Sequence, residues 1–195
     1  DTMQPLITVS QNHARFLMSQ PDRASDVPAA IEQYRRALSD ANGPDSGTLL
    51  EPLRMQAEFA QTHSQYENAE AAARELLALQ ETLSGNSSEA YFADLQAAAR
   101  VYQAAGDLDR ALPLFRKAIA LADLLATPDN GWRRAETRMD VALALAHLNQ
   151  FDEAEALGEE AVALEQTMRT PRTSLADQLL QIRSMKQAAA QADSG

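Results

Sequence analysis

The sequence of 195 residues contains no cysteine, and it is also poor in basic residues. Without cysteine the chain can form no disulfides, thiolate metal sites or iron–sulfur clusters, and it has no cysteine nucleophile. The sequence has 17 Lys and Arg residues and 28 Asp and Glu residues, which gives a formal net charge of -11. Nucleic acids bind positive surfaces, and anionic membranes repel acidic ones. We therefore expect no nucleic-acid partner.

Long apolar runs are missing as well, because no stretch approaches the roughly 20 residues that span a bilayer. We therefore expect no membrane insertion. No basic segment precedes an apolar one at Asp1, so the sequence shows no signal peptide. Two locations fit this composition: cytoplasmic, or periplasmic or secreted if a signal peptide has been removed.

Glycine and proline are few, with 7 and 8 residues, whereas alanine supplies 38 residues, about a fifth of the chain. Alanine has the highest helix propensity, and a shortage of glycine and proline leaves little sequence for long irregular loops. The composition predicts an all-α protein.

Sequence motifs of catalytic and metal sites are also absent. His13, His63 and His147 are far apart, and none belongs to a His-Glu-x-x-His pattern. There is no glycine-rich phosphate loop and no Gly-x-Ser-x-Gly segment. Neighbouring acids such as Asp152 and Glu153 point to different sides of a helix, which predicts a solvated surface. We expect no enzymatic activity, no catalytic residue, no metal and no cofactor.

An internal repeat is the strongest pattern in the sequence. Four segments share a large apolar residue three positions before an alanine, and these large residues are 39, 42 and 43 positions apart: Val27, Tyr66, Leu108 and Phe151. Breaks containing Pro, Gly, Asn and Ser separate the segments near positions 44, 86, 128 and 171. Such residues end one helix and cap the next. Each segment therefore predicts two antiparallel helices.

The turn inside each helix pair is marked by Ser64, Gly106 and Asn149, and His63 is expected to cap the helix before the first of these turns. Small residues stand twelve positions before the key alanines, at Ala57, Ala99 and Ala142 before Ala69, Ala111 and Ala154. Small side chains at matched points allow two helices to approach closely.

This pattern resembles the tetratricopeptide repeat, and its period near 42 is similar to the kinesin-light-chain variety found in many bacterial proteins. The resemblance implies a right-handed superhelical solenoid of four helix pairs and a capping helix, in a single domain over 1–195. The repeats are expected at about 4–42, 46–84, 88–126 and 131–170, with the capping helix at 173–190. Two departures stand out: Pro21 predicts an extended turn over Gln20 to Asp26, and Gly158 replaces a typical aromatic residue.

The resemblance further implies a protein–protein interaction module or scaffold, without catalysis, whose concave groove is lined by the first helix of each pair. The candidate groove residues are Asn12, Arg15, Arg54, Glu58, Gln61, Gln96, Arg100, Gln103, Met139, Leu143 and His147. Guanidinium and amide groups suit an extended or acidic peptide. The alternative is that the arginines pair with neighbouring Asp and Glu.

Two other functions fit the same sequence: a regulatory or sensor domain of a larger multidomain protein, and a self-assembly module. Trp132, the single tryptophan, is expected either to pack against Leu124 or Leu125 or to lie at a homo-oligomer interface. The carboxylate clamp of chaperone-binding repeats is not expected, because Lys117 and Lys186 are the only lysines.

Overall fold

The computed structural model describes residues 3–127, 131–168 and 175–192, and within these ranges it contains nine α-helices and no strand. The helices are α1 Met3–Met18, α2 Val27–Asn42, α3 Leu50–Thr62, α4 Tyr66–Ser84, α5 Glu89–Ala104, α6 Leu108–Leu124, α7 Trp132–His147, α8 Phe151–Gln166 and α9 Leu175–Ala192. The predicted all-α class is confirmed. The predicted break at 127–131 lies partly outside the described ranges, and the one at 170–174 lies wholly outside them.

The helices pack pairwise, and the chain divides into two compact units, residues 1–111 and 112–195. In unit 1, α1 packs on α2, α3 packs on α4, and α4 also packs on α5. In unit 2, α7 packs on α8, and α9 packs on both of them. The repeat boundaries, the single domain and the right-handed superhelix stay predictions.

The turns within the pairs have the left-handed backbone that a tight helix end requires. Ser64, Gly106 and Asn149 have φ values of 57°, 78° and 60°. The next N–H group in each turn donates to a carbonyl five residues earlier, with N···O distances of 2.8, 2.9 and 3.0 Å: Gln65 to Ala60, Asp107 to Tyr102 and Gln150 to Leu145. These hydrogen bonds satisfy carbonyls at the helix end, as in a Schellman motif. The positions of all three turns, predicted from the sequence, are confirmed.

The segment between α1 and α2 has a regular structure. Residues 21–26 form a 3-10 helix, with Pro21 at its first position. Proline is favoured at the start of a helix, where its missing N–H would have no partner within the helix. The extended turn predicted over Gln20 to Asp26 therefore takes the form of a 3-10 helix.

Gly158 of α8 lies at the contact between α8 and α9. A Cβ atom at Gly158 would lie 2.8 Å from Cδ1 of Leu179 and 3.6 Å from Cδ1 of Ile182. Helix α9 therefore packs directly against the backbone of α8. This contact explains why an aromatic residue is absent from that position.

Replacing Gly158 with phenylalanine should lower the free energy of unfolding by about 1–3 kcal/mol, because overpacking would displace α9. Gly158→Ala is the control, since the end of the Leu179 side chain can move and alanine favours the helix. Urea denaturation of the three proteins measures the effect. Equal stability of the phenylalanine variant and the wild type would contradict this packing.

Candidate binding surface

Ion pairs connect the exposed sides of the first helices in unit 1. Arg15 of α1 pairs with Glu51 of α3, and Arg54 of α3 pairs with Asp94 of α5. The pairs show that the exposed sides of α1, α3 and α5 lie next to one another. We call this surface the first-helix wall, and its exposed or half-buried residues are Gln11, Asn12, Arg15, Glu51, Arg54, Glu58, Gln61, Ala93, Gln96, Ala97, Arg100, Gln103 and Ala104.

The carboxylate of Glu51 is the centre of a hydrogen-bond network that joins α1, α2 and α3. Gln11 Nε2 donates to both of its oxygens at 2.9 Å, Tyr34 Oη donates at 2.8 Å, and an Arg15 guanidinium N–H donates as well. Burial raises the pKa of Glu51, but these hydrogen bonds outweigh it and hold the pKa below the ordinary value of 4.5. Burial and the neighbouring carboxylate raise the pKa of Tyr34.

The lowered pKa of Glu51 predicts a pH-dependent contribution to stability. A carboxylate whose pKa is lower in the folded state stabilises the fold above its unfolded pKa, and this contribution is lost as pH falls through the folded pKa. The stability difference between wild type and Glu51→Gln should therefore shrink between about pH 5 and pH 3. Urea denaturation across that range measures it. A difference that stays constant with pH would contradict the lowered pKa.

The pair between Arg54 and Asp94 is bidentate. Arg54 Nε and Nη2 donate to the two carboxylate oxygens of Asp94, each at 2.7 Å. The Asp94 side chain is 3% exposed and that of Arg54 is 45% exposed. The hydrogen bonds to Asp94 raise the pKa of Arg54 against the opposing effect of burial. One edge of this guanidinium is therefore already occupied by a buried carboxylate.

This geometry favours the alternative that the sequence left open for Arg15 and Arg54, pairing with neighbouring acids. The other candidates in unit 1 are exposed or half-buried: Asn12, Glu58 and Arg100 are exposed, and Gln61, Gln96 and Gln103 are half-buried. The wall therefore presents amides and paired charges to the solvent, together with the exposed alanines of α5.

In unit 2 the structure corrects one groove candidate. Met139 is 1% exposed and belongs to the core, so its placement in a groove was wrong. The physical reason is that α9 packs on α7 as well as on α8 and so helps to enclose α7. Leu143 is half-buried, and His147 is exposed at the end of α7. Trp132 is half-buried, with the Arg133 guanidinium carbon 5.6 Å from its ring centre.

Ion pairs also connect the second helices, which the sequence reasoning missed. The paired residues are Arg35 with Glu75, Glu70 with Arg110, and Arg116 with Glu153. Their separations of 40, 40 and 37 positions are close to one repeat length. That spacing of opposite charges was the available signal. Exposed pairs of this kind contribute little stability, typically about 0–1 kcal/mol each.

The described ranges contain no group of three or more His, Asp or Glu side chains that could hold a metal ion. In the same ranges, no helix is both long and apolar enough to cross a membrane. A cleft of about 240 Å³ lies between α2, α3 and α4, and Glu32 is the titratable residue in its lining.

Comparison with known proteins identifies the repeat type. Residues 95–122 and 134–167 match the sequence profile of the tetratricopeptide repeat family. None of the curated proteins compared with the chain matches it. These two segments therefore match tetratricopeptide repeats, the repeat that the sequence pattern resembles, and this repeat class generally serves as a protein–protein interaction module.

Solved structures show the same fold at low sequence identity. The nearly identical TPR-like repeats of a Podosopora anserina protein designated a kinesin light chain give a TM-score of 0.73 at 18% identity, covering 99% of this chain and 89% of that one. A variant of those repeats with a single substitution gives 0.68 at 16% identity, covering 97% of each chain. BtubC (BKLC) of P. vanneervenii gives 0.61 at 14% identity, covering 97% and 85%.

Proposed function

We propose that the chain is a protein-binding module that holds an extended segment of a partner protein along the first-helix wall, without catalysis of its own. The observation that supports this proposal is the chemistry of the wall. Its amides are accessible, and Glu51 and Asp94 already neutralise Arg15 and Arg54. The tetratricopeptide repeats make a protein the expected kind of partner.

The paired arginines favour a peptide backbone over an acidic side chain as the main ligand group. A carboxylate ligand would compete with Asp94, which is held at two points inside the protein. An amide side chain both donates and accepts hydrogen bonds, so it can bind the N–H and C=O groups of an extended backbone. Gln61, Gln96 and Gln103 supply such groups from α3 and α5. The exposed alanines of α5 add no bulk that would keep the peptide away.

A bulky charged residue on the wall should abolish this binding without breaking the ion pairs. Ala97→Arg adds a long side chain at an exposed position of α5, and Ala71→Arg adds the same side chain at an exposed position of α4. Both proteins should stay folded, because arginine is a good helix former. Wild type and both variants would be used as baits in a lysate of the source organism, with capture quantified by mass spectrometry.

We expect a protein that wild type and Ala71→Arg capture equally and that Ala97→Arg loses. Direct titration of that protein with the three baits would then give the affinities. Equal capture by all three baits would contradict binding at the wall. Loss with Ala71→Arg alone would place the interface on the second helices instead.

A further inference from the structure

The cleft between α2, α3 and α4 has the features of a small binding site and lies within unit 1. Its volume is about 240 Å³, and the buried side chains of Ile31, Phe59 and Ala60 line it. Apart from Pro28, the accessible residues of its lining are polar: Glu32, Gln56, Gln65 and Asn68. An apolar floor combined with a few convergent polar groups is typical of a ligand site.

The next repeat shows what occupies the corresponding place between α4, α5 and α6. A shift of 42 positions, which aligns the turns of the two repeats, matches Ala60 with Tyr102 and Asn68 with Arg110. The Arg110 guanidinium carbon lies 5.4 Å from the centre of the Tyr102 ring. The next repeat therefore places a tyrosine ring and a guanidinium group where the cleft has alanine and asparagine, and these smaller residues leave space open.

Two carboxylates hold Arg110 in that place. Its Nη1 donates to Glu70 at 2.6 Å, and its Nε lies 3.0 Å from Oδ2 of Asp107. In the cleft, the residues that match these two acids are uncharged: Ile31 and Gln65. Glu32 supplies a carboxylate instead, one position further along α2. Among the described residues that line it, the cleft thus has space and a carboxylate for a guanidinium group but no arginine of its own.

Glu32 pairs with Arg36 within α2, but this pair does not close the cleft to a ligand. Arg36 Nε donates to Oε1 of Glu32 at 2.7 Å, and the two side chains are 74% and 48% exposed. An exposed pair of this kind contributes little stability, because water screens it and two long side chains must be held in place. A ligand can therefore share the carboxylate of Glu32 or displace Arg36 from it.

The charge of unit 1 favours a cation as the ligand of this cleft. Residues 1–111 contain 8 Arg, no Lys and 16 Asp and Glu, which gives a net charge of -8. Such a surface attracts a basic partner and repels a second copy of this chain, whose net charge is -11. Arginine fits the lining better than lysine does. Its stem is apolar, and its planar guanidinium group offers five N–H donors to carboxylate and amide oxygens.

We propose that the cleft binds an arginine side chain of a basic partner protein. The stem of that arginine would contact Ile31 and Ala60, and its guanidinium group would donate to the carboxylate of Glu32 and to the amide oxygens of Gln56 and Asn68. The partner thus supplies in this repeat the group that Arg110 supplies in the next. The cleft shares no residue with the first-helix wall, so this proposal does not depend on the function proposed there.

The test titrates isotope-labelled protein with the peptide acetyl-Gly-Arg-Gly-amide and follows the side-chain amide signals of Gln56 and Asn68 by NMR. The same peptide with citrulline, a neutral analogue of arginine of nearly the same shape, is the control ligand, and free L-arginine represents a small-molecule ligand. The variants change exposed helix positions, so they should stay folded: Glu32→Gln, Arg36→Ala, Asn68→Arg and, as the control outside the cleft, Glu81→Gln.

We expect saturable shifts of these amide signals with the arginine peptide. Glu32→Gln should weaken its affinity about tenfold, the usual effect of losing a hydrogen bond between charged groups. Glu81→Gln makes the same change in net charge and should leave the affinity unchanged. Arg36→Ala should strengthen binding, because it removes the competing partner of Glu32. Asn68→Arg should weaken binding, because it places an arginine where the next repeat has Arg110.

Three results would overturn the proposal: no shift of the amide signals of the cleft, equal affinity for the citrulline peptide, or equal losses in Glu32→Gln and Glu81→Gln. Free L-arginine that binds as tightly as the peptide would overturn it in favour of a small-molecule site. Self-association of wild type in sedimentation that is lost in Asn68→Arg would also overturn it, by identifying a second copy of the chain as the occupant.

Discussion

Replacing Arg54 with alanine is expected to lower the free energy of unfolding by about 3 kcal/mol, because it removes the partner of a buried charge. The Asp94 side chain is 3% exposed, and both of its oxygens accept hydrogen bonds from Arg54 at 2.7 Å. Without Arg54, the carboxylate must stay unpaired inside the protein, or bind a proton, or draw in water. Each of these outcomes is less favourable than the bidentate pair.

The opposite deletion should be milder, and this asymmetry is the sharpest test of the pair. In Asp94→Ala the remaining Arg54 side chain, 45% exposed, can turn its charge to the solvent. We expect a loss of about 1 kcal/mol for Asp94→Ala, within the usual range for a lost hydrogen-bond partner. Urea denaturation of both single variants and of the double variant would measure the coupling. Equal losses in the two single variants would contradict the unequal burial of the two charges.

The same asymmetry affects how binding experiments are interpreted. A protein partner lost from Arg54→Ala could be lost because the wall is distorted, since that variant is expected to be destabilised. Ala97→Arg changes the surface of the wall and leaves both ion pairs intact. Binding at the wall should therefore be judged from the alanine position and from its matched control at Ala71.

The sequence could predict the repeats because their determinants are local. Helix ends, left-handed turns and small residues recur at fixed spacing, and each acts within a few residues of its own position. Ser64, Gly106 and Asn149 were therefore located from the sequence as turn residues, and all three have positive φ. The 3-10 helix that begins at Pro21 and the contact of Gly158 with Leu179 required the packed structure, because both depend on neighbouring helices.

The binding surface was less predictable because its determinants lie about one repeat apart. The acids that pair with Arg15 and Arg54 are 36 and 40 positions away, at places that do not correspond to each other in the repeat. Spacing along one helix gave no information about such partners. Met139 shows the same limit. The sequence places it on the same side of its helix as Arg54, but Met139 is buried in the structure, where α9 packs on α7.

Phe16 and Phe59 lie 43 positions apart, at equivalent positions of the repeat. Replacing each of them with alanine should change the free energy of unfolding by very different amounts. Phe59→Ala should lower the free energy of unfolding by about 3–5 kcal/mol, because Phe59 is 6% exposed and packs in the apolar cluster with α2. Phe16→Ala should change it by no more than about 0.5 kcal/mol, because Phe16 is 58% exposed. Urea denaturation of the two variants, at equal and low protein concentration, makes the comparison.

Similar losses for the two phenylalanines would show that Phe16 is already covered in the isolated chain, either by another copy or by a rearranged α1. A loss for Phe59 alone would show that the fold does not need Phe16, although the sequence has the same residue there.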